Sequence, residues 1–175
     1  VGIVNADQML RFPDFRAHER AFQMMAQVAG RSGRKRDPGT VYIQGRDIHH
    51  PIIGLVTAHD VKGMYDRELE HRRGHGYPPF TRLVRLTLKH RSEDRVVATA
   101  GSLGAVLRSR LGDRILGPEA PSVARVRDMH LRAILVKLDR NAYRTGKEIL
   151  REAIDQVFAR PEHRAIRLVI DVDPM

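Results

Sequence analysis

The chain has 175 residues, 42% hydrophobic and 30% charged, with a formal net charge of +10 at pH 7 and no cysteine. That composition can bury a core, argues against intrinsic disorder, and excludes disulfides and thiolate metal sites within these residues. A basic balance of this size attracts polyanions, nucleic acid above all, although an arginine-rich genome would produce the same count.

VGIVNAD, residues 1–7, reads as a buried strand ending at Asn5 and Asp7. It has no starting Met and no basic leader, so a piece of a longer protein without a signal peptide is expected, and no apolar run is long enough to span a membrane. A loop follows over 11–15 around Pro13. From Arg16 to Ala29 the apolar set Ala17, Phe22, Met25, Ala26, Val28 and Ala29 follows helical spacing, with Gly30 as the expected stop. GRSGRKRDPG is then a basic turn, and GTVYIQG, residues 39–45, a strand. Strand, helix, turn and strand predict a parallel pair within an α/β unit. Residues 48–73 read as one or two helices, with Pro51 near a start and Gly63 as a weak point. HRRGHGYPPF then crowds two glycines and two prolines together and marks a boundary.

Beyond it the pattern resets. TRLVRLTLKH, residues 81–90, alternates as a half-buried strand. Ser92 is the expected N-cap of a helix whose first turn holds Glu93 and Asp94 and which Gly112 stops after Leu111. A strand is expected near 114–116, a turn at GPEAPS, and a hairpin of VARVRD and LRAILVKLD through Met129–His130. A helix over Tyr143–Phe158, ended by Pro161, and a last strand AIRLVIDVD complete a β-α-β-β-β-α-β order, an α+β unit of ferredoxin-like kind.

The string QVAGRSGR, residues 27–34, pairs two arginines with two glycines at a helix end. An arginine fork grips phosphate oxygens in pairs and keeps its charge, and glycine lets the backbone close around a ligand. Arg31 and Arg34, three apart, can reach one pocket, with Gln27 adding a neutral hydrogen bond. A solvated basic loop is the plain alternative.

Q-x-x-G-R-x-G-R is similar to the sixth motif of superfamily 2 helicases, in the second of their RecA-like lobes. With NADQML, PDFRAHERAFQ, YPPF, LGPEAP, LRAILVK and IDVDP, the whole chain resembles the PriA-type primosomal replication-restart helicases. The resemblance implies that residues 1–73 end the second RecA-like lobe, 74–80 link, and 81–175 form an α+β C-terminal domain. It implies an arginine finger at Arg34, with Arg31 and Gln27 as companions, acting on ATP and magnesium held elsewhere, an effect worth roughly 10³–10⁵ in rate. It implies 3′-to-5′ unwinding of branched DNA in the cytoplasm, at the nucleoid, by the complete protein, and primosome assembly there. Partners so implied are branched and single-stranded DNA, other primosome proteins, and the acidic tail of single-stranded DNA-binding protein, for which Arg140, Arg144 and Lys147 are candidates. One departure is Asp128–Leu131 before Arg132, where the family often shows Tyr-Arg. The chain holds no G-x-x-x-x-G-K-[ST] loop, DEAH-like motif or paired CxxC, so the rest of the ATP site and the zinc ligands are expected outside these residues, and this piece alone is expected to lack ATPase activity.

Other clusters keep two readings. Arg72, Arg73, Tyr77 and Phe80 interleave cations and rings, as a DNA strand or a stiff hinge would need. Arg125 and Arg127, expected on one strand face, join Arg132 and Lys137 as candidate DNA contacts, with plain surface solubility as the other reading. Arg82, Arg85, Lys89 and Arg91 extend along one strand and its exit. Asp14 and Glu19 among Arg16 and Arg20 read as a salt-bridged helix start rather than catalytic carboxylates. His71 and His75 have metal-ligand spacing without a carboxylate partner, and no metal site is expected. Asp171 and Asp173 read as partners of neighbouring arginines more than as a metal pair. The rival functions are a non-enzymatic basic nucleic-acid-binding module and another superfamily 2 helicase of repair.

Overall fold

The computed structural model describes residues 1–32 and 39–174. They divide into two compact units, Val1–His75 and Gly76–Met175. The first contains β1 (Gly2–Ile3), α1 (Ala6–Leu10), α2 (Ala17–Arg31), β2 (Tyr42–Ile43), α3 (Pro51–Thr57) and α4 (Val61–His75). β1 and β2 run parallel, Gly2 opposite Tyr42 and Ile3 opposite Ile43, as the strand-helix-strand order predicts. Both are shorter than the sequence implies. Asn5 takes a left-handed φ of 61° and turns the chain into α1, and the Asp7 carboxylate then accepts from the Arg46 amide at 2.7 Å. Those backbone bonds hold the Asp7 carboxyl below its ordinary range.

Gly30 does not stop α2. The helix continues through Arg31 to Ser32, whose hydroxyl donates to the Ala29 carbonyl at 2.8 Å. A helical glycine costs about 1 kcal/mol, and the face Ala17, Ala21, Phe22 and Met25 buries enough to outweigh it. The 48–73 stretch resolves into two helices. The His50 ring accepts from the Ile52 amide at 3.3 Å and caps α3. Asp60 caps α4 by accepting from the Gly63 amide at 2.7 Å. Gly63 belongs to that cap, because a Cβ there would stand 2.3 Å from an Asp60 oxygen. Ile3, Leu10, Phe22, Met25, Ile52 and Met64 form this unit's core.

The second unit contains β3 (Thr81–His90), α5 (Glu93–Leu111), β4 (Ile115–Glu119), β5 (Arg125–Val126), β6 (Met129–Asp139), α6 (Tyr143–Phe158) and β7 (Arg167–Val172). This is the predicted β-α-β-β-β-α-β order. The sheet runs β4-β6-β3-β7, every neighbour antiparallel, with β5 paired to β6. Alternation turns Val84, Leu86 and Leu88 of β3 and Ile134, Val136 and Leu138 of β6 to one face, where α5 and α6 cover them. Ser92 caps α5 as expected, its hydroxyl accepting from the Arg95 amide at 3.4 Å, and Gly112 ends the helix at φ 59°.

Two expectations fail here. GPE, expected as a turn, belongs to β4, where the register shifts between Leu116 and Glu119. Gly117 permits this at φ 87°, since a Cβ would lie 2.6 Å from the Ala133 carbonyl. The hairpin turns at Arg127–Asp128, not Met129–His130. Both turn residues have positive φ, 47° and 60°, the signature of a tight two-residue hairpin. The expected 74–80 linker is also divided: α4 runs on through Gly74 and His75, and residues 76–80 lie in the second unit.

Candidate nucleic-acid interface

At the C-terminal end of α2, Gln27 and Arg31 are both exposed and stand one helical turn apart. Arg20, Gln23, Met24 and Gln27 border a shallow groove of about 480 Å³. Arg31 takes no ion pair among the described residues, and its charge lies at the helix end where the dipole favours a cation. Arg34 lies outside the described residues.

Arg72 is placed differently. Its side chain is 12% exposed, binds Glu19 of α2 at 2.5 Å, and lies 3.8 Å from Glu68 on its own helix. Glu68, 4% exposed, also meets the His18 ring at 3.2 Å. Arg72 therefore ties α4 to α2 and has little left for a phosphate. Burial pushes the Glu68 carboxyl up, but the His18 hydrogen bond and the charges of His18, Arg72 and His71 outweigh it and hold it below its ordinary value. Glu68 Oε2 and Arg72 Nε have no hydrogen-bond partner among the described residues. His18 faces His50 with ring centroids 5.2 Å apart, and burial lowers the His50 pKa. Glu68 escaped sequence reading because a Glu among Arg and His on a helix looks like solvated charge.

The remaining first-unit candidates are simpler. Arg73 is exposed on α4. Asp14 accepts from Arg20 at 3.0 Å, the expected salt-bridged helix start, while Glu19 turns to Arg72. The His71 and His75 rings stack 4.3 Å apart, and among the described residues no three His, Asp or Glu side chains converge to hold a metal.

In the second unit the Lys137 ammonium lies 4.1 Å from the centre of the half-buried Tyr77 ring, and burial lowers the Lys137 pKa. Phe80 is half-buried in the same unit. Arg125 is exposed at the hairpin and bonds Asp128 at 2.9 Å. Arg127 occupies the turn itself, so the two do not share a strand face. Arg132 registers with Leu88 on the helix-covered side and binds Glu93 at 2.8 Å. Arg140 precedes α6 and donates to the Pro79 carbonyl at 3.2 Å. On α6, Arg144 lies 3.6 Å from Glu148 and Lys147 lies 5.6 Å from the centre of the Tyr143 ring. Asp173, just past β7 at φ 52°, pairs with Arg82 at 2.9 Å, so it leaves the Asp171 strand face and serves an arginine as expected. The candidate cations are thus dispersed over hairpin, helix and sheet margin.

This geometry defines a class: a mixed α/β chain whose second unit is a small antiparallel sheet backed by two helices and rich in surface arginine. Residues 73–175 match the family described as the primosomal protein N C-terminal domain. The chain is 32% identical over 176 residues to the replication restart protein PriA of Bacillus subtilis (strain 168), covering 99% of this chain and 22% of that protein. It is 36% identical over 177 residues to the PriA of Treponema pallidum (strain Nichols), with coverage of 100% and 26%. Against the PriA of Synechocystis it is 35% identical over 179 residues, with coverage of 100% and 20%. The chain belongs to the PriA family, and it spans between a fifth and about a quarter of the length of these relatives.

Proposed function

We propose that the chain serves replication restart as part of an ATP-dependent 3′-to-5′ DNA helicase that recognises stalled or branched forks and starts primosome assembly. In this reading residues 1–73 close a RecA-like lobe, and the second unit is a ferredoxin-like domain, in keeping with its β4-β6-β3-β7 order. Gln27, Arg31 and Arg34 reach across to an ATP and magnesium whose phosphate loop lies outside these residues, as do the zinc ligands of the complete protein. Arg73, Tyr77, Arg125, Arg127 and Lys137 contact branched or single-stranded DNA, with Arg72 and Arg132 as supports. Arg140, Arg144 and Lys147 receive the acidic tail of single-stranded DNA-binding protein. Function in the cytoplasm, at the nucleoid, follows from that role.

The observation that carries this reading is the exposed Gln27–Arg31 step at the end of α2, aimed into solvent with no described carboxylate on Arg31. A finger that must meet a nucleotide from another lobe has to be left uncommitted in this way. The test is an assay of the 175-residue chain with forked DNA. Salt-sensitive binding without ATP hydrolysis is expected, and hydrolysis by the chain alone would refute the division of the site. The net charge of +10 also favours a purely DNA-binding role, which predicts that Arg31→Ala leaves ATP hydrolysis by the complete protein unchanged.

A further inference from the structure

Strand alternation leaves a second sheet face in the C-terminal unit, opposite α5 and α6. It carries Arg85, Thr87 and Lys89 of β3 and Arg167, Val169 and Asp171 of β7. Register aligns these with β6 in rows across the sheet: Leu131, Lys89 and Arg167; then Ala133, Thr87 and Val169; then Leu135, Arg85 and Asp171. Lys89 and Arg167 are direct cross-strand partners, and like charges so placed repel and cost stability.

Several other arginines of the unit are answered by carboxylates. Arg82, Arg110, Arg114 and Arg132 each meet a carboxylate at 2.6–2.9 Å. Among the described residues Arg85, Lys89 and Arg167 meet none, although Asp171 stands in register with Arg85. The middle row, Ala133, Thr87 and Val169, is a floor of short side chains. Lys89 and Arg85 flank it four residues apart on one strand, a span of about 13 Å. The result is a flat trough across the strands with cations on both sides.

We propose that this face holds one single strand of DNA by its phosphates, independently of sequence. This rests on the DNA-binding reading above and adds to its contacts a second surface, the open sheet face, apart from the Arg125–Arg127 hairpin. An uncharged row flanked by cations on a flat face can track one phosphate backbone along its length, as positively charged single-strand grooves do. A floor without aromatic rings offers no base-stacking platform, so the contact is to the backbone. An acidic peptide would need side-chain pockets for its specificity, and Ala133, Thr87 and Val169 provide none. Bound phosphates would relieve the repulsion between Lys89 and Arg167, which is the chemistry that a facing cation pair lacks in the free unit.

The test titrates the whole 175-residue chain with fluorescein-labelled oligothymidylate between 50 and 200 mM salt, a range chosen on the order of that in which phosphate contacts show themselves. The variant Arg85→Ala/Lys89→Ala/Arg167→Ala is compared with Arg95→Ala/Arg151→Ala/Arg160→Ala, which removes the same charge from helices and their ends. The first is expected to weaken binding about tenfold or more and to flatten the salt slope by about two, at about 0.7 per lost phosphate contact. The second is expected to keep the slope. Lys89→Thr alone should keep or raise the thermal midpoint while weakening binding, which separates lost contacts from lost folding. Equal losses in both triples, or loss only in the second, overturn this face and leave DNA binding standing. No binding by the unaltered chain at the lowest salt overturns both. If the first triple abolishes binding of polyglutamate and leaves DNA untouched, the face belongs to an acidic peptide and the proposal fails.

Discussion

The two units are held by different means. In the second, β3 pairs with β6 over all ten of its residues and with β7 over six, and two helices close one face. In the first, paired strands amount to two residues each, and helices are fastened by side-chain ties: Asp7 to the Arg46 amide, His50 to the Ile52 amide, Asp60 to the Gly63 amide, and Arg72 between Glu19 and Glu68. A sheet spreads its stability over many equivalent bonds, whereas a tied set of helices concentrates it in a few polar residues. Damage should therefore take different forms in the two units.

The sharpest contrast comes from truncating cores and ties. Leu86, fully buried at the centre of β3, should cost the second unit about 3–4 kcal/mol on change to Ala, measured by urea unfolding. A loss below about 1 kcal/mol would show that this strand does not carry the core. Arg72→Met should cost the first unit about 2 kcal/mol, less than a fully buried pair because the side chain keeps 12% exposure. Hydrogen exchange along α2 and α4 would report it. Unchanged exchange there would mean that Glu68 does not depend on its arginine.

Acid separates the units further. Burial, joined by the charge of His18, holds the folded His50 pKa below 6.5. Its contribution is thus present above the ordinary histidine value and fades as pH falls through the lowered folded one. Protonation also converts the accepting ring nitrogen of the α3 cap into a donor. Glu68 behaves likewise further down, its contribution present above the ordinary carboxylate range and lost as pH falls through the lowered value. The first unit should lose about 1 kcal/mol between pH 7 and 5, the scale of one N-cap. His50→Asn, which keeps an acceptor without titrating, should flatten that decline. An equal decline in the variant would assign the effect elsewhere. The smallest effect has the opposite sign. Gly30 is helical, and outside its own helix no atom of the described residues lies within 4 Å of where a Cβ would stand, so Gly30→Ala should stabilise α2 by about 0.5–1 kcal/mol in thermal unfolding. Destabilisation would mean that the glycine serves the segment that follows α2.

This difference also explains what the sequence could show. Long alternation made β3 and its partner strand readable, and helical spacing with a Ser92 cap and a Gly112 stop outlined α5. The short strands of the first unit could not be sized, because their ends depend on Asn5 adopting a left-handed φ and on Asp7 reaching a distant amide. The hairpin was displaced by two residues since Arg127 and Asp128 lack the Asn-Gly wording that usually marks such a turn. Among site residues, Gln27 was legible on the last helical turn, whereas Arg31, expected in the turn beyond Gly30, lies within α2 because the buried helix face carries the helix past the glycine. Arg72 was not legible as a tie, because its partner Glu19 is 53 residues away and Glu68 looks solvent-facing. The Lys89–Arg167 opposition needed strand register, which composition and spacing do not contain.

In the proposed function Arg31 and Arg34 act on a nucleotide while the C-terminal unit holds DNA. Changing Arg31 and Arg34 together to Ala in the complete protein, and measuring DNA-stimulated ATP hydrolysis beside DNA affinity, tests it most directly. The account predicts hydrolysis reduced by about 10³ or more with affinity and salt slope unchanged. Undiminished hydrolysis, or a parallel loss of DNA binding, would contradict it.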